Sequence, residues 1–147
     1  LMDADLDWKS QSVREGDWTF DGGYRAMRSI LEEEESLPTA VFAANDMTAL
    51  GAVEAVREAE LSVPEDISVV GFDNVEQGRQ STPKLTTVNM DTELMAKAAC
   101  QKLVFTIQSG EIHSVKIVVP ARLIVRESTA RARLDPRGEV MVEENLC

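Results

Sequence analysis

The amino-acid sequence predicts an α/β fold in which a parallel sheet is flanked by helices on both faces. Short apolar runs alternate with stretches of helical periodicity along the chain. The apolar runs are continuous, which is typical of parallel strands buried on both faces. The size fits one ordinary domain, because 147 residues with 44% hydrophobic and 28% charged residues can bury a core without disulfides.

The first helix is predicted to follow a loop that contains Gly16 and Asp17. From Tyr24 onward, apolar side chains recur at three- and four-residue steps, and the candidate caps are Thr19 and Asp21. The acidic run 32–35 is interpreted as the solvated end of this helix, since four adjacent carboxylates repel one another and cannot form a metal cage.

Three buried strands are predicted, at residues 39–44, 67–72 and 85–90. Asn45 and Asp46 open a second helix whose apolar positions follow helical spacing: Met47, Leu50, Val53, Val56 and Ala59. Loops are predicted at 61–66 and 75–84, and a third helix at 91–108 closed by Gly110. Residues 115–119 and 123–125 are strand-like. Residues 1–12 are expected to be a partial N-terminal segment, and 130–147 a loose tail.

Charge and rare residues exclude several kinds of function. A net charge of −11 repels phosphate, so the chain is not expected to hold DNA or an anionic membrane by itself. Because His113 is the only histidine, a multi-histidine metal site is excluded. Cys100 and Cys147 are interpreted as reduced thiols of a cytoplasmic protein. No glycine-rich phosphate loop, signal peptide or membrane span is recognised. The chain begins with Leu1 and is expected to be cut from a longer protein.

Two predicted strands end in polar pairs, Asn45-Asp46 and Asp73-Asn74. Ligands bind in parallel α/β sheets beyond the carboxyl ends of the strands, so these pairs are candidate ligand contacts. Asn and Asp are also helix caps and turn residues, and capping is the favoured interpretation of Asp46. For Asp73 both interpretations stay open. Trp18, in a loop, is either a packing residue or a platform for a sugar or purine ring.

Four segments together resemble the effector-binding domain of the lactose-repressor and galactose-repressor (LacI/GalR) family. The main one is PTAVFAANDMTALGAVEAVREAELSVPEDISVVGFDN at 38–74. The others are REGDWTFDGGYRAM at 14–27, TPKLTTVNMDTELMAKAA at 82–99 and PARLIVREST at 120–129. Their order and spacing make the resemblance specific over residues 13–129.

The resemblance implies a two-lobed fold like that of periplasmic sugar-binding proteins, with ligand held between the lobes. This chain would supply the C-terminal lobe and, at about 92–119, part of the segment that closes the first lobe. Trp18 would stack on the ligand, and Asn45 and Asp73 would hydrogen-bond it. Two further candidate contacts are Asp46 and Met90. The residues expected at a dimer interface are Leu50, Val53 and Ser81, although ordinary core packing is the alternative for Leu50 and Val53.

The chain departs from the family pattern in informative places. Glu60 and Ala96 stand where glycine is common, and at Glu60 a left-handed turn would be strained by roughly 1 kcal/mol. The helix-turn-helix, the hinge helix and most of the first lobe have no counterpart, nor does a ligand-binding arginine in residues 1–12. The apolar side chains of 92–119 are therefore expected to pack back on the remaining lobe or against another chain: Leu94, Leu103, Val104, Phe105 and Ile107.

The predicted function is sensing of a small-molecule effector, either a sugar or a nucleobase-like compound. The parent protein is predicted to be a transcriptional repressor that is cytoplasmic and homodimeric. DNA would be contacted only through a helix-turn-helix absent from this chain. No cofactor, metal, membrane partner or catalytic residue is predicted. The alternative is a periplasmic-type solute-binding receptor for a transporter, and an enzyme ranks third.

Overall fold

The computed structural model describes residues 13–33 and 37–132. Helices and strands alternate over these residues in the following order: α1 (Phe20–Glu33), β1 (Ala40–Phe42), α2 (Asp46–Glu58), β2 (Ser68–Phe72), α3 (Glu76–Gln80), β3 (Thr86–Asn89), α4 (Thr92–Ser109) and β4 (Arg122–Ile124). The expectations for residues 1–12, for 34–35 of the acidic run and for most of the tail lie outside the described residues.

The four strands form one sheet in the order β1-β2-β3-β4. β1 and β2 are parallel, as are β2 and β3, with Val41 opposite Val69 and Val70 opposite Thr86. β4 joins β3 in the antiparallel sense, which the sequence did not predict. The α/β class with a mainly parallel sheet is confirmed. The carboxyl ends of β1, β2 and β3 therefore meet at one edge of the sheet.

The core lies between the sheet and α2, against which α1 packs. It consists largely of small and β-branched side chains, a composition that lets the two layers approach closely. Its members are Met27, Ala43, Ala49, Ala52, Val53, Ala55, Val56, Ile67, Val69 and Leu85.

The expectation of helices on both faces of the sheet is wrong for the part of the chain that the structure describes. Side chains alternate along a strand, so Val41 and Ala43 point toward α2 while Phe42 points to the other face. Phe42 is 66% exposed there, and Leu123 on β4 is 60% exposed. Continuous apolar strands favour helices packed on both faces of the sheet. Within residues 13–33 and 37–132 helices pack on only one face.

The helix caps differ in one respect from prediction. Thr19 caps α1, since its hydroxyl oxygen accepts a hydrogen bond from the Gly22 N–H at 3.0 Å. The cap of α2 is Asn45, whose Oδ1 accepts from the Thr48 N–H at 2.8 Å. The favoured interpretation of Asp46 as the cap is therefore wrong. Asp46 is the first residue inside the helix, where its side chain is free to turn inward.

Two segments were assigned the wrong structure from sequence. The predicted loop 75–84 contains α3, a helix of 5 residues, too short to show a periodic pattern. Residues 115–119 form no strand, because a strand needs backbone hydrogen bonds to a neighbour and no other described segment pairs with them. The strand predicted at 123–125 is present one residue earlier, as β4.

The third predicted helix is confirmed as α4, capped by Asp91 and ended by Gly110 at φ 68°. It has no buried residue, and Ile107 is 70% exposed. Of the two expectations for this segment, packing back on the lobe is thus not observed. Burial against another chain stays a prediction.

A left-handed residue ends α2, as expected from the family pattern. Glu60 has φ 61° and donates its N–H to the Arg57 carbonyl at 3.1 Å. A side chain is disfavoured at this φ by about 1 kcal/mol relative to glycine. We therefore expect Glu60→Gly to raise the free energy of unfolding by about 1 kcal/mol in urea denaturation. Glu58→Gly, inside α2, should lower it by a similar amount, and equal effects of the two substitutions would contradict the prediction.

Candidate functional site

Three sequence-predicted ligand contacts lie at the common carboxyl edge of the parallel strands. Asn45 follows β1, Asp73 directly follows β2, and Met90 directly follows β3. Trp18 reaches the same edge, because the Asn45 side-chain amide donates a hydrogen bond to the Trp18 carbonyl at 2.9 Å. The fold thus brings residues 18, 45, 73 and 90 to one edge of the sheet, where ligands of such sheets bind.

The loop before α1 presents an unpacked aromatic ring. Asp17 and Trp18 both have positive φ, 44° and 66°, so the chain turns sharply before the helix starts. The Arg25 guanidinium pairs with Asp17 at 2.8 Å and supports this turn. The Trp18 side chain is 68% exposed, so its ring is available for stacking and is not part of the core.

A cavity of about 460 Å³ opens beside Trp18, between the 13–18 loop, α1 and β1. Its walls include the core side chains Met27 and Ala52, and neither Asn45 nor Asp73 lines it. The Thr48 hydroxyl, on the same wall, is buried without a hydrogen-bond partner among the described residues. The cavity is therefore an opening into the core that adjoins the carboxyl edge and does not coincide with it.

Asp73 sits in a turn that leaves its carboxylate unpaired. Asp73 and Asn74 have φ of 109° and 60°, both in the region that side chains rarely adopt. The half-buried Asp73 carboxylate accepts no hydrogen bond from any residue of 13–33 or 37–132. Burial, followed by the negative charge of Asp46, raises the pKa of this carboxyl above 3.8. An acceptor held in this way is suited to a ligand that brings its own hydroxyl or N–H donors.

Asp46, by contrast, is buried and hydrogen-bonded within the protein. Its side chain is fully buried, and it accepts from the Thr87 hydroxyl at 2.6 Å and from the Val75 N–H at 2.8 Å. Both contacts lie on segments that flank Asp73, in β3 and after β2. The structure therefore gives Asp46 an internal role beside the candidate contact. The sequence offered no signal for it, because its partners are 29 and 41 residues away.

Arg126 is a second residue that sequence reasoning missed. Its guanidinium donates to Asn74 Oδ1 and to the Leu85 carbonyl, each at 2.6 Å. Arg79 also reaches Asn74, at 3.3 Å to Oδ1 and 3.1 Å to the backbone carbonyl. These contacts surround the residue next to Asp73. Only the pairing of β4 with β3 brings Arg126 here, and that antiparallel pairing was not predicted.

The residues expected at a dimer interface differ in accessibility. Val53 follows the alternative of ordinary core packing, since it is 9% exposed and belongs to the core. Leu50 is half-buried and packs against the core from the outside. The Ser81 hydroxyl donates to the Gly78 and Pro83 carbonyls, at 3.1 and 2.7 Å. Leu50 and Ser81 thus retain more accessible surface than Val53.

Neither a cluster of potential metal ligands nor a membrane-spanning helix is found within residues 13–33 and 37–132. No group of three or more His, Cys, Asp or Glu side chains there could hold a metal ion. None of the helices formed by these residues has the length and apolar character needed to cross a membrane.

Comparison with known proteins identifies the family. The model of the periplasmic binding protein-like domain family matches residues 4–129. The HTH-type transcriptional repressor PurR of Pectobacterium atrosepticum is 40% identical over 130 residues, which cover 88% of this chain and 38% of that protein. The HTH-type transcriptional regulator CelR of Thermobifida fusca is 37% identical over 128 residues, covering 87% and 37%. The chain therefore spans little more than a third of these relatives.

Solved structures give the same result. The transcriptional regulator CelR–cellobiose complex superposes with a TM-score of 0.81 at 36% identity, over 86% of this chain and 38% of that one. The lac repressor dimer bound to operator and the anti-inducer ONPF superposes with a TM-score of 0.72 at 34% identity, over 79% and 40%. The resemblance seen in the sequence is confirmed: this chain belongs to the periplasmic binding protein-like domain family and corresponds to part of the effector-binding domain of LacI-family regulators.

Proposed function

We propose that the chain is the effector-sensing part of a DNA-binding transcriptional repressor, and that its ligand is a small polyhydroxylated or nucleobase-like molecule. The observation that carries the proposal is the Asp73 carboxylate, which stands half-buried and unpaired at the carboxyl edge of the sheet. A carboxylate in that state costs free energy unless a ligand supplies donors. Trp18 supplies a ring face for stacking beside it. Asn45 supplies a side-chain amide whose hydrogen-bonding capacity is only partly used by Trp18 and Thr48.

The relatives support this ligand class. CelR has been solved with cellobiose, and a LacI-family regulator of Enterococcus faecium with bound ribose is 32% identical with a TM-score of 0.72. Sugars present several hydroxyl donors and an apolar ring face, which a carboxylate and an indole complement. Met90 is a further proposed contact. Asp46 is not a proposed ligand contact, since it is fully buried and each of its oxygens accepts a hydrogen bond from the protein.

The wider activity is proposed from the same relatives. Effector binding would shift the relative position of two lobes and so change the DNA affinity of a cytoplasmic homodimer. DNA contact is assigned to a helix-turn-helix outside these 147 residues, in keeping with a net charge of −11. Leu50 and Ser81 are the proposed dimer contacts that this chain offers. A binding role is proposed, with no catalytic step.

Ligand binding is testable on Trp18 itself. In a Trp8→Phe background, Trp18 is the remaining indole, because the chain has two tryptophans. We expect millimolar ribose or cellobiose, or hypoxanthine as the nucleobase probe, to shift the Trp18 indole N–H and the Asp73 amide resonances in NMR titrations. The acyclic polyol mannitol controls for bulk solvent effects. Failure of all three probes to shift either resonance would contradict the proposal.

Asp73→Asn separates binding from stability, because it keeps the shape of the side chain and removes its charge. We expect the affinity for the shifting probe to fall about 30-fold, equivalent to about 2 kcal/mol, through loss of charge-assisted hydrogen bonds. We also expect the variant to be more stable than the parent at pH 7. The raised pKa means that the folded state favours protonated Asp73, an advantage present below pH 3.8 and lost as the pH rises through the folded-state pKa.

The stability gain of Asp73→Asn should therefore shrink to nothing as the pH falls below 3.8. Thermal unfolding between pH 3 and 7 measures it, with the exposed Asp21→Asn as the matched control. If the variant binds the probe as tightly as the parent, Asp73 is not a ligand contact. A gain that persists at low pH contradicts the electrostatic explanation.

A further inference from the structure

The backbone of the turn formed by residues 73–75 is held by hydrogen bonds to two other segments, β3 and α2. Its three backbone N–H groups donate to the Val88 carbonyl at 2.9 Å, the Thr87 hydroxyl at 3.3 Å and the Asp46 carboxylate at 2.8 Å. Two successive non-glycine residues with positive φ are strained, so the turn persists only because its surroundings impose it.

Among the side chains that contact this turn, Arg126 is the most distant along the chain, 52 residues from Asn74. Its backbone N–H donates to the Thr86 hydroxyl at 2.9 Å, which fixes the start of the side chain. Its guanidinium then bridges the Leu85 carbonyl and Asn74 Oδ1. A planar guanidinium offers donors in a rigid fork, so it sets the distance between the two acceptors in a way that a lysine would not.

We propose that Arg126 is a positioning residue for the ligand site: by holding Asn74 in its left-handed conformation, it aims the Asp73 carboxylate at the ligand. This inference rests on the proposed function, in which Asp73 contacts the effector. The other charged groups around the turn are Asp46, which binds the Val75 N–H, and Arg79, which also binds Asn74. Arg79 is exposed and its contact to Oδ1 is longer, so Arg126 provides the stronger constraint.

Asn74→Gly tests this inference without unfolding the turn. Glycine adopts φ 60° without strain, so the variant should fold and keep a melting temperature close to that of the parent. It loses the side-chain acceptor of Arg126. We expect affinity for the ribose or cellobiose probe to fall on the order of ten-fold, because a misplaced carboxylate binds poorly. The pKa of Asp73, followed by its carboxyl ¹³C shift, should fall toward 3.8 as water reaches the loosened turn.

Arg126→Met is the reciprocal variant, and Arg122→Met, at an exposed position on the same segment, is its matched control. Arg126→Met should reproduce both effects of Asn74→Gly, and Arg122→Met neither. If Asn74→Gly and a folded Arg126→Met keep the parent affinity and the parent Asp73 titration, the inference is overturned. If the parent binds no probe but the Asp73 titration still shifts in both variants, the positioning role stands and the proposed function fails. If Arg126→Met does not fold, Asn74→Gly alone decides.

Discussion

Gly51→Ala is expected to destabilise the fold by about 3 kcal/mol or more and to lower the melting temperature by about 10 to 20 °C. Gly51 lies where α2 crosses α1. A Cβ there would stand 2.7 Å from the Tyr24 backbone nitrogen and closer still to the Phe20 carbonyl oxygen. The obstacle is backbone, which cannot rotate away as a side chain would. The helices would have to move apart and open the core between them.

The expected loss of stability is opposite to the usual effect of this substitution, because replacing glycine by alanine within a helix ordinarily raises the free energy of unfolding by up to about 1 kcal/mol. Gly78→Ala in α3 is the matched control. A Cβ there would meet Leu85 Cβ and Cδ2 at 3.3 Å, a crowding that a shift of a few tenths of an ångström relieves, so its effect should stay within about 1 kcal/mol. Thermal and urea denaturation measure both variants. A Gly51→Ala protein as stable as the parent would show that the helices do not cross this closely.

Asp46→Ala is expected to lower the free energy of unfolding by about 3 kcal/mol. It leaves the Thr87 hydroxyl and the Val75 N–H without their acceptor, and each unsatisfied buried donor costs about 1–3 kcal/mol. The carboxylate is fully buried, so water cannot readily replace it. Relief of the repulsion on Asp73 offsets part of this loss, which keeps the expected value in the middle of the range.

Asp46→Asn provides the graded comparison, since its amide keeps one acceptor oxygen and should cost about half as much. Asp21→Ala in the exposed first turn of α1 should change stability by about 0.5 kcal/mol or less. Urea denaturation measures the free energy of unfolding of the three variants and so ranks their stability. If Asp46→Ala is no more disruptive than Asp21→Ala, Asp46 is not the internal support that its contacts indicate.

The elements whose order could be predicted are those with local signals. The three parallel strands, α2 and α4 follow from apolar runs and caps near in sequence, such as Asp91 and Gly110. α3 was missed because 5 residues are too few for a period, and the 115–119 strand was predicted where no described neighbour pairs with it. Local patterns describe what a segment can form, whereas a strand also needs a partner edge.

The candidate site likewise combines features that the sequence predicts with features that only the tertiary structure sets. By itself the sequence determined the fold class and the placing of Asn45 and Asp73 at strand ends. Through the family resemblance it also indicated the effector domain and the left-handed position at Glu60. Only the tertiary structure decided that Asn45 is the cap, that Asp46 is buried and hydrogen-bonded within the protein, and that Arg126 holds Asn74 from 52 residues away. Strand ends and turns depend on neighbours a few residues apart, so sequence spacing reveals them, whereas Asp46 leaves the cap to Asn45 because the hydrogen-bond partners of Asp46 lie far along the chain. Burial and long-range hydrogen bonds depend on which strands become neighbours, and that is set by packing of the whole chain.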